Sequence, residues 1–347
     1  MPGCRPASFL RHAPALLAGA FNFPSFRTRW PVALVLVLLA ALAHADVPGM
    51  RLPRTVVPLA YDARLEVDPA REAFGGRIEI AVRVNEPTDL VWLNAKQLIV
   101  TAAFAVAGGT SEETAATVVP GSDDVIGVQF PRALPAGPHR LVLTYAGKID
   151  SKGGVGLFRQ PEAGRYYAVT QFEPLDARRV FPCFDEPDMK AVFTVSLVVP
   201  DHLLAASNAS EVDRTALGDG TVRVTFADTM VMSTYLVALV VGPLEVTDTR
   251  MIDGRDRPIP LRVIHPAGSD GLTPFALEVA DAGVRFLENY YDIAYPGDKI
   301  DLVAVPDFAF GAMENLGLIT FREIALLVDP DEATQPELQR VADVINH

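Results

Sequence analysis

The stretch Arg77–Val84, RIEIAVRV in one-letter code, decides the fold class of this 347-residue chain. Its apolar side chains occupy every second position: Ile78, Ile80, Val82 and Val84. Successive side chains of a strand point to opposite faces, so this period of two indicates a β-strand with one buried face and one wet face. Similar alternation recurs between about residues 56 and 246. The sequence therefore predicts a mainly β region there.

Two further stretches of this region, Val192–Val199 and Tyr235–Val241, are apolar on both faces. Strands buried on both sides have this composition, so we expect both to be central strands. Turn signals such as Gly75-Gly76 and Asp219-Gly220 separate the predicted strands. Several short strands separated by such turns predict an antiparallel sandwich or one large folded sheet.

The spacing of apolar residues changes after Pro243. Thr273 and Pro274 are suited to a helix start, and apolar side chains then recur every three or four residues. These are Leu277, Ala280, Val284, Leu287 and Tyr291. The pattern predicts an amphipathic helix that ends before Pro296.

A second helix is predicted from Thr334 onward, because Glu337 follows it at the spacing of a capping box. Between the two helices, Ile300–Val305 has the composition of a strand.

Composition and charge exclude several classes of protein. Half of the residues are hydrophobic and 21% are charged, which is typical of globular proteins and not of disordered or collagen-like chains. The two cysteines are too few for a disulfide framework. The formal net charge is −13, and such a surface repels phosphate backbones, so we expect no nucleic-acid partner.

Residues 1–45 have the features of a secretory signal peptide. They contain no Asp or Glu, Arg27 and Arg29 precede the apolar run Val32–Ala43, and Ala43-His44-Ala45 follows as a cleavage site. The alternative is a membrane anchor, but the run is shorter than the roughly 20 residues of a spanning helix. We therefore expect an exported protein, periplasmic or secreted, without a stable membrane span after cleavage.

The first cluster of residues that could carry chemistry is Gln171–Pro187, QFEPLDARRVFPCFDEP. We interpret most of its charges as an ion-pair corner between two arginines and three acids. These are Arg178, Arg179, Asp176, Asp185 and Glu186. Composition leaves open whether Glu173 instead points its carboxylate into a pocket.

The second cluster is Pro306–Gly317, PDFAFGAMENLG, which directly follows the predicted strand. Gly311 and Gly317 allow another backbone to approach closely. A strand edge of this kind can take up an extended peptide, and Glu314 beside it can receive a cation. A plain loop with a solvated glutamate is an equally good interpretation from these residues alone.

Three histidines, at positions 139, 202 and 265, lie near proline or glycine, and we interpret them as solvated loop residues.

Gly311–Asn315 resembles the G-A-M-E-N signature of the zinc aminopeptidases related to aminopeptidase N, whose catalytic domain is thermolysin-like. The first cluster is similar to that family's Q-F-E-P-x-x-A-R-R-x-F-P-C-F-D-E-P segment. Residues 339–342 and 344–347 resemble the start of its zinc-binding helix. The resemblance implies a mainly β N-terminal domain, a sandwich or saddle, over residues 46–245. The start of an α+β thermolysin-like catalytic domain, incomplete here, would occupy residues 246–347.

The resemblance also implies one zinc ion, held by the two histidines of H-E-x-x-H and a later Glu. The Glu of the motif would activate a zinc-bound water. Of this set only His347, the first histidine, is present, so we expect this portion alone to bind no zinc specifically and to hydrolyse nothing.

The implied partners are peptides with a free N-terminus. Glu173 and Glu314 would bind the α-ammonium, and the backbone of Gly311 and Ala312 would line the cleft. Phe310 would neighbour the pocket for the first side chain. Met313 and Asn315 complete this predicted substrate-binding segment.

Other functions are compatible with the sequence. A non-catalytic relative would keep the sheet as a peptide-binding or interaction module and lose the metal. A family offshoot could hydrolyse epoxides. The strands alone would also suit a secreted adhesion or carbohydrate-binding sandwich, but that function gives no reason for the G-A-M-E-N segment.

Overall fold

The computed structural model describes residues 47–347, so the predicted signal peptide lies outside the described residues. The strands of the first part are, in chain order, β1 (Val56–Glu66), β2 (Ala73–Val84), β3 (Thr88–Asn94), β4 (Ile99–Ala107), β5 (Glu113–Ala115), β6 (Thr117–Ser122), β7 (Val125–Leu134), β8 (Gly137–Lys148), β9 (Gly156–Glu162), β10 (Arg165–Gln171), β11 (Val192–Pro200), β12 (Leu204–Ser207), β13 (Glu211–Ala216), β14 (Thr221–Phe226) and β15 (Leu239–Gly242).

The second part mixes strands and helices. Its strands are β16 (Leu244–Val246), β17 (Arg250–Asp253), β18 (Pro258–Pro266), β19 (Ile300–Val305), β20 (Ala312–Met313) and β21 (Leu318–Arg322). Its α-helices are α1 (Pro274–Tyr291) and α2 (Gln335–Asn346). Short 3-10 helices along the chain cover Ala177–Arg179, Thr234–Leu236, Asp270–Leu272 and Glu323–Ala325.

The strands form four sheets. An eight-stranded sheet has the order β13-β14-β11-β1-β2-β8-β4-β5, a three-stranded sheet β3-β7-β6, and a four-stranded sheet β12-β15-β10-β9. The sheet of the second part has the order β16-β18-β19-β21-β20, with β17 also paired to β18. The mainly β prediction is confirmed. The antiparallel prediction holds for most pairs, but β1 pairs with β11 in parallel, as does β19 with both β18 and β21.

The four-stranded sheet is buried on both faces. Along β9 and β10, Leu157 and Ala168 pack toward the eight-stranded sheet, whereas the next residues, Phe158 and Val169, pack toward the second part. This alternation explains why both faces of these strands are apolar. The central strand predicted over Tyr235–Val241 is shorter than expected, because a 3-10 helix precedes β15.

The sheet of the second part lies between the four-stranded sheet and the helices. Val303 and Val305 of β19 face the four-stranded sheet, whereas Leu302 and Ala304 pack in a cluster with Ala276 of α1. The buried strand therefore joins two hydrophobic cores and carries its carboxyl end to the second cluster.

Both predicted helices are confirmed, with one difference at the start of α1. The Thr273 hydroxyl donates to the Asp270 carbonyl and does not cap the helix. Helix α1 ends at Tyr291, and the residue that caps it, Asp292, adopts a left-handed conformation with φ of 58°. At α2 the capping box is present, and the Thr334 N–H donates to the Glu337 carboxylate at 2.8 Å.

The ion-pair corner is confirmed for two of its acids. The Arg178 guanidinium contacts buried Asp185, with Nε 2.9 Å from Oδ2, and Arg179 pairs with Asp176. Glu186 was assigned wrongly, because its carboxylate instead pairs with Arg54 at 3.3 Å. The contact of Glu186 ties the first cluster to the segment before β1.

Candidate functional site

The G-A-M-E-N segment lies at the edge of the sheet. After β19 the chain passes through residues 306–311 and returns as β20, which pairs antiparallel with β21 through Ala312–Phe321 and Met313–Thr320. Within the described residues β20 is the last strand on this side of the sheet. Its outer backbone N–H and C=O groups are therefore available to an extended chain.

Arg322 holds the loop before β20 in place. Its backbone N–H donates to the Gly311 carbonyl at 2.9 Å, and its Nε donates to the Phe308 carbonyl at 2.8 Å. A second guanidinium nitrogen donates to the Ala309 carbonyl. Sequence reasoning missed this residue, because a loop-anchoring arginine carries no distinctive spacing.

The turn after the segment is held from the β framework. Gly317 has φ of +75°, and a Cβ there would lie 2.0 Å from the Asn208 carbonyl oxygen. The predicted close approach is therefore confirmed for Gly317. Gly311 is different, since it is exposed and a Cβ there would meet nothing within 4 Å.

Buried Lys299 also holds the turn at Gly317 in place. Its ammonium donates to the carbonyls of Gly317 at 2.7 Å and Ser207 at 2.8 Å, and to Asp301 at 2.7 Å. Arg262 holds the same carboxylate through two bonds of 2.8 and 2.7 Å. Burial lowers the pKa of Lys299, whereas the Asp301 carboxylate opposes that shift.

Three of the predicted site residues line one groove. A cavity of about 400 Å³ lies between α1, the end of α2 and the sheet, and Glu314, Asn315 and His347 are among its walls. Glu314 is exposed and makes no hydrogen bond or ion pair with residues 47–347. A carboxylate beside an apolar groove, without an internal partner, is free to bind a cation from solution.

The side chains of Met313 and Asn315 are turned into the protein. Met313 is 2% exposed and packs in the core with Phe308, so a peptide can reach only its backbone. Asn315 is 1% exposed, and its amide donates to the Thr320 hydroxyl at 3.4 Å.

The other predicted residues lie outside the walls of this groove. Glu173 follows β10 and is exposed, without an ion pair among the described residues. Phe310 is 44% exposed and packs edge-on against Phe308, with ring centroids 5.7 Å apart. Gly311 and Ala312 present their backbone at the edge of the sheet.

The Glu323 carboxylate, directly after β21, has a raised pKa. Burial raises the pKa of Glu323, and the negative charges of Glu162 and Asp307 raise it further. The Asp307 N–H donates to this carboxylate and acts in the opposite direction.

Two histidines were predicted wrongly. His139 and His265 are 6% and 0% exposed, because each lies on a strand, β8 and β18, rather than in a loop. His202 is exposed, as predicted.

The described residues do not assemble a zinc site at His347. The one group of three metal-binding side chains found among residues 47–347 is Glu245, His265 and Asp270, and it does not include His347. One imidazole is too few, since catalytic zinc takes three protein ligands.

No helix between residues 47 and 347 combines the length and the apolar character that crossing a membrane requires.

Comparison with known proteins places these features in a family. The profile described as the Peptidase M1 N-terminal domain matches residues 57–236, and that of the Peptidase family M1 domain matches residues 275–347.

Several characterised proteins are similar over most of this chain. Aminopeptidase M1-A of Oryza sativa subsp. japonica is 39% identical over 307 residues, covering 86% of this chain and 34% of the relative. Aminopeptidase 2 of Candida albicans is 36% identical over 301 residues, covering 85% and 32%. Aminopeptidase N of Acetobacter pasteurianus is 34% identical over 304 residues, covering 86% and 82%. The chain spans about a third of the length of the rice and yeast relatives. It belongs to the peptidase M1 family, whose members are zinc-dependent.

Proposed function

We propose that the natural protein is a zinc-dependent aminopeptidase, which removes N-terminal residues from peptides. The observation that carries the proposal is the juxtaposition of an edge strand, β20, with the exposed and internally unpaired carboxylate of Glu314 at the groove. The similar proteins are all named aminopeptidases, which supports the same activity.

The edge strand accounts for how a peptide is held. An extended substrate pairs with the outer backbone groups of β20 at Ala312 and runs beside Gly311, whose carbonyl accepts from Arg322, as in other cases of strand addition. Arg322 and Gly317 fix both ends of the segment, so its backbone is ordered before the substrate arrives. Phe310, exposed at the start of the segment, neighbours the first side chain of the peptide.

The carboxylates account for the choice of the N-terminus. An aminopeptidase must cleave one residue from the N-terminus of its substrate, and only the N-terminus carries an α-ammonium group. Glu314 and Glu173 bind this ammonium through charge-assisted hydrogen bonds, which an internal peptide nitrogen cannot reproduce. The cleavage point is then set by electrostatics rather than by sequence.

The proposed enzyme would hold its zinc ion in part through His347. His347 is the one residue of the zinc set that this sequence contains, and it shares the groove with Glu314. One zinc ion, when bound, would supply an activated water for attack on the scissile carbonyl.

We also propose the division of the chain and its location. Residues 1–45 are a signal peptide, residues 46–245 a β domain and residues 246–347 part of the catalytic domain. The protein is exported and acts in the periplasm or outside the cell.

The proposal is tested with the full-length natural protein on matched alanine anilides, one with a free amine and one N-acetylated. We expect kcat/KM to be about 30-fold or more higher for the free amine, because acetylation removes one partner of a charged pair. Equal cleavage of both substrates, or no cleavage of either, contradicts the proposed function. Binding of free-amine peptides without cleavage would favour the non-catalytic alternative.

A further inference from the structure

Outside the groove, the structure brings one imidazole and two carboxylates together at the far edge of the same sheet. Glu245 on β16 lies directly opposite His265 on β18 in the antiparallel register. Directly opposite residues of a strand pair carry their side chains on the same face. The turn after β18 then returns Asp270 to this face, and the ligand atoms of the three residues all lie within 4.8 Å of one another.

The imidazole of His265 has one nitrogen that lacks a partner. Its Nδ1 lies 2.9 Å from the Pro266 carbonyl oxygen, which can only accept, so Nδ1 carries a hydrogen. Nε2 of the neutral ring therefore presents a lone pair. This atom is buried and has no hydrogen-bond partner among residues 47–347, and the His265 side chain is 0% exposed.

Nε2 is directed toward the two carboxylates. Its distance from Asp270 Oδ1 is 3.6 Å, beyond hydrogen-bonding distance, although the two atoms face the same space. Glu245 is held by the Gly268 N–H, which donates to its Oε2 at 3.2 Å. Among residues 47–347 this buried nitrogen receives no donor, and neither carboxylate pairs with a lysine or arginine. A metal ion would satisfy all three groups.

We propose that Glu245, His265 and Asp270 form a binding site for a divalent transition-metal ion of the zinc type, separate from the groove at His347. Imidazole together with carboxylates suits such ions, whereas Mg²⁺ and Ca²⁺ prefer oxygen ligands alone. Donation from the other ring nitrogen to a carbonyl is also the usual arrangement of a metal-bound histidine. Two carboxylates balance the charge of the ion.

The ligand spacing requires only a small adjustment. Metal–ligand distances of about 2.0–2.2 Å place neighbouring ligand atoms roughly 3.3–3.6 Å apart. The Nε2–Oδ1 separation already has this value, and Glu245 and Asp270 are exposed, so their side chains can move. Solvent provides the open coordination positions and the route of entry.

The consequence for the fold is local. The ion would link β16 to the turn that leads into α1, and so would stabilise the edge of the sheet opposite to β20. This inference does not depend on aminopeptidase activity. It differs from the expectation that this portion alone binds no zinc specifically, which considered only the zinc set at His347.

The test is calorimetric titration of the 347-residue chain with ZnCl₂, together with its thermal unfolding. We expect one ion per chain and a rise in Tm of a few degrees with saturating Zn²⁺, because the ion binds only the folded state. The double variant Glu245→Gln, Asp270→Asn should raise Kd at least tenfold while keeping the metal-free Tm, since both side chains are exposed. Equal concentrations of Mg²⁺ should change neither quantity.

Two further variants separate this site from other histidines. The variants His347→Ala and His202→Gln should bind Zn²⁺ as the parent does, because neither histidine belongs to the group of three ligands. His202 lies 3.7 Å from Asp201 but lacks a third ligand. The proposal is overturned if no binding occurs below millimolar Zn²⁺. It is equally overturned if the double variant keeps the parent affinity, or if His347→Ala abolishes binding. Visible absorption after Co²⁺ addition, lost in the double variant, gives an independent readout of nitrogen and oxygen coordination.

Discussion

Replacing Glu314 by alanine in the full-length natural protein is expected to lower kcat/KM for an aminoacyl amide by about thirty- to several-thousand-fold. The range corresponds to the loss of roughly 2–5 kcal/mol when one partner of a charged hydrogen-bonded pair is removed. Glu314 lines the groove and has no internal partner among the described residues, so its loss should not unfold the protein. The measurement is steady-state kinetics on free-amine and N-acetylated substrates.

A matched control is Glu332→Ala, which removes another exposed glutamate that is absent from the groove walls. It should leave kcat/KM within about twofold, as expected for a surface substitution away from special features. Glu314→Gln should resemble Glu314→Ala, because the amide keeps the shape and loses the charge. An unchanged kcat/KM in Glu314→Ala would remove the role assigned to this carboxylate.

Replacing Gly317 by alanine is expected to destabilise the 347-residue chain by about 2–6 kcal/mol. Part of this, roughly 1–3 kcal/mol, is the strain of a side chain at φ of +75°. A similar amount comes from forcing the Asn208 carbonyl away from a Cβ that would lie 2.0 Å from its oxygen. Displacing the turn also weakens the bond from Lys299 to the Gly317 carbonyl. Urea unfolding of parent and variant measures the difference.

Gly311→Ala is the internal control, since it adds the same methyl group six residues earlier. The site is open, with nothing within 4 Å of the new Cβ, and its φ lies outside the left-handed region. We expect a change of less than about 1 kcal/mol, with stabilisation as the favoured sign because the unfolded chain loses freedom. Equal destabilisation by both variants would show that the contacts of Gly317 with Asn208 and Lys299 do not hold this segment.

Local patterns in the sequence were sufficient to predict the elements but not their pairing. The alternation in Arg77–Val84 predicts a strand with one buried face, and β2 has that character. Nothing local indicates that β1 lies parallel to β11, more than a hundred residues later, because that register depends on how the sheets pack together. The position of the four-stranded sheet, between the eight-stranded sheet and the sheet of the second part, likewise depends on packing between distant segments.

In the candidate site, too, the residues within one motif could be predicted, whereas the residues that contact it from elsewhere in the chain could not. A contiguous motif predicted Glu314 and the neighbouring edge strand. Asn208 and Lys299 hold the Gly317 turn. Asn208 lies more than a hundred residues from the motif and Lys299 precedes β19, so neither could be found from the motif itself. His265 was misassigned because the proline after it suggested a loop, whereas Pro266 is the last residue of β18.

Glu314 and Glu173 are proposed to bind the same ammonium group, although they come from different parts of the chain. The decisive measurement is a double-mutant cycle on kcat/KM in the full-length natural protein, with Glu314→Ala, Glu173→Ala and the combined variant. Groups that share one charged partner are coupled, so the double variant should lose less than the product of the single effects, by about 0.5–3 kcal/mol. If the two losses simply multiply, or if Glu173→Ala has no effect, the shared recognition of the peptide N-terminus is contradicted.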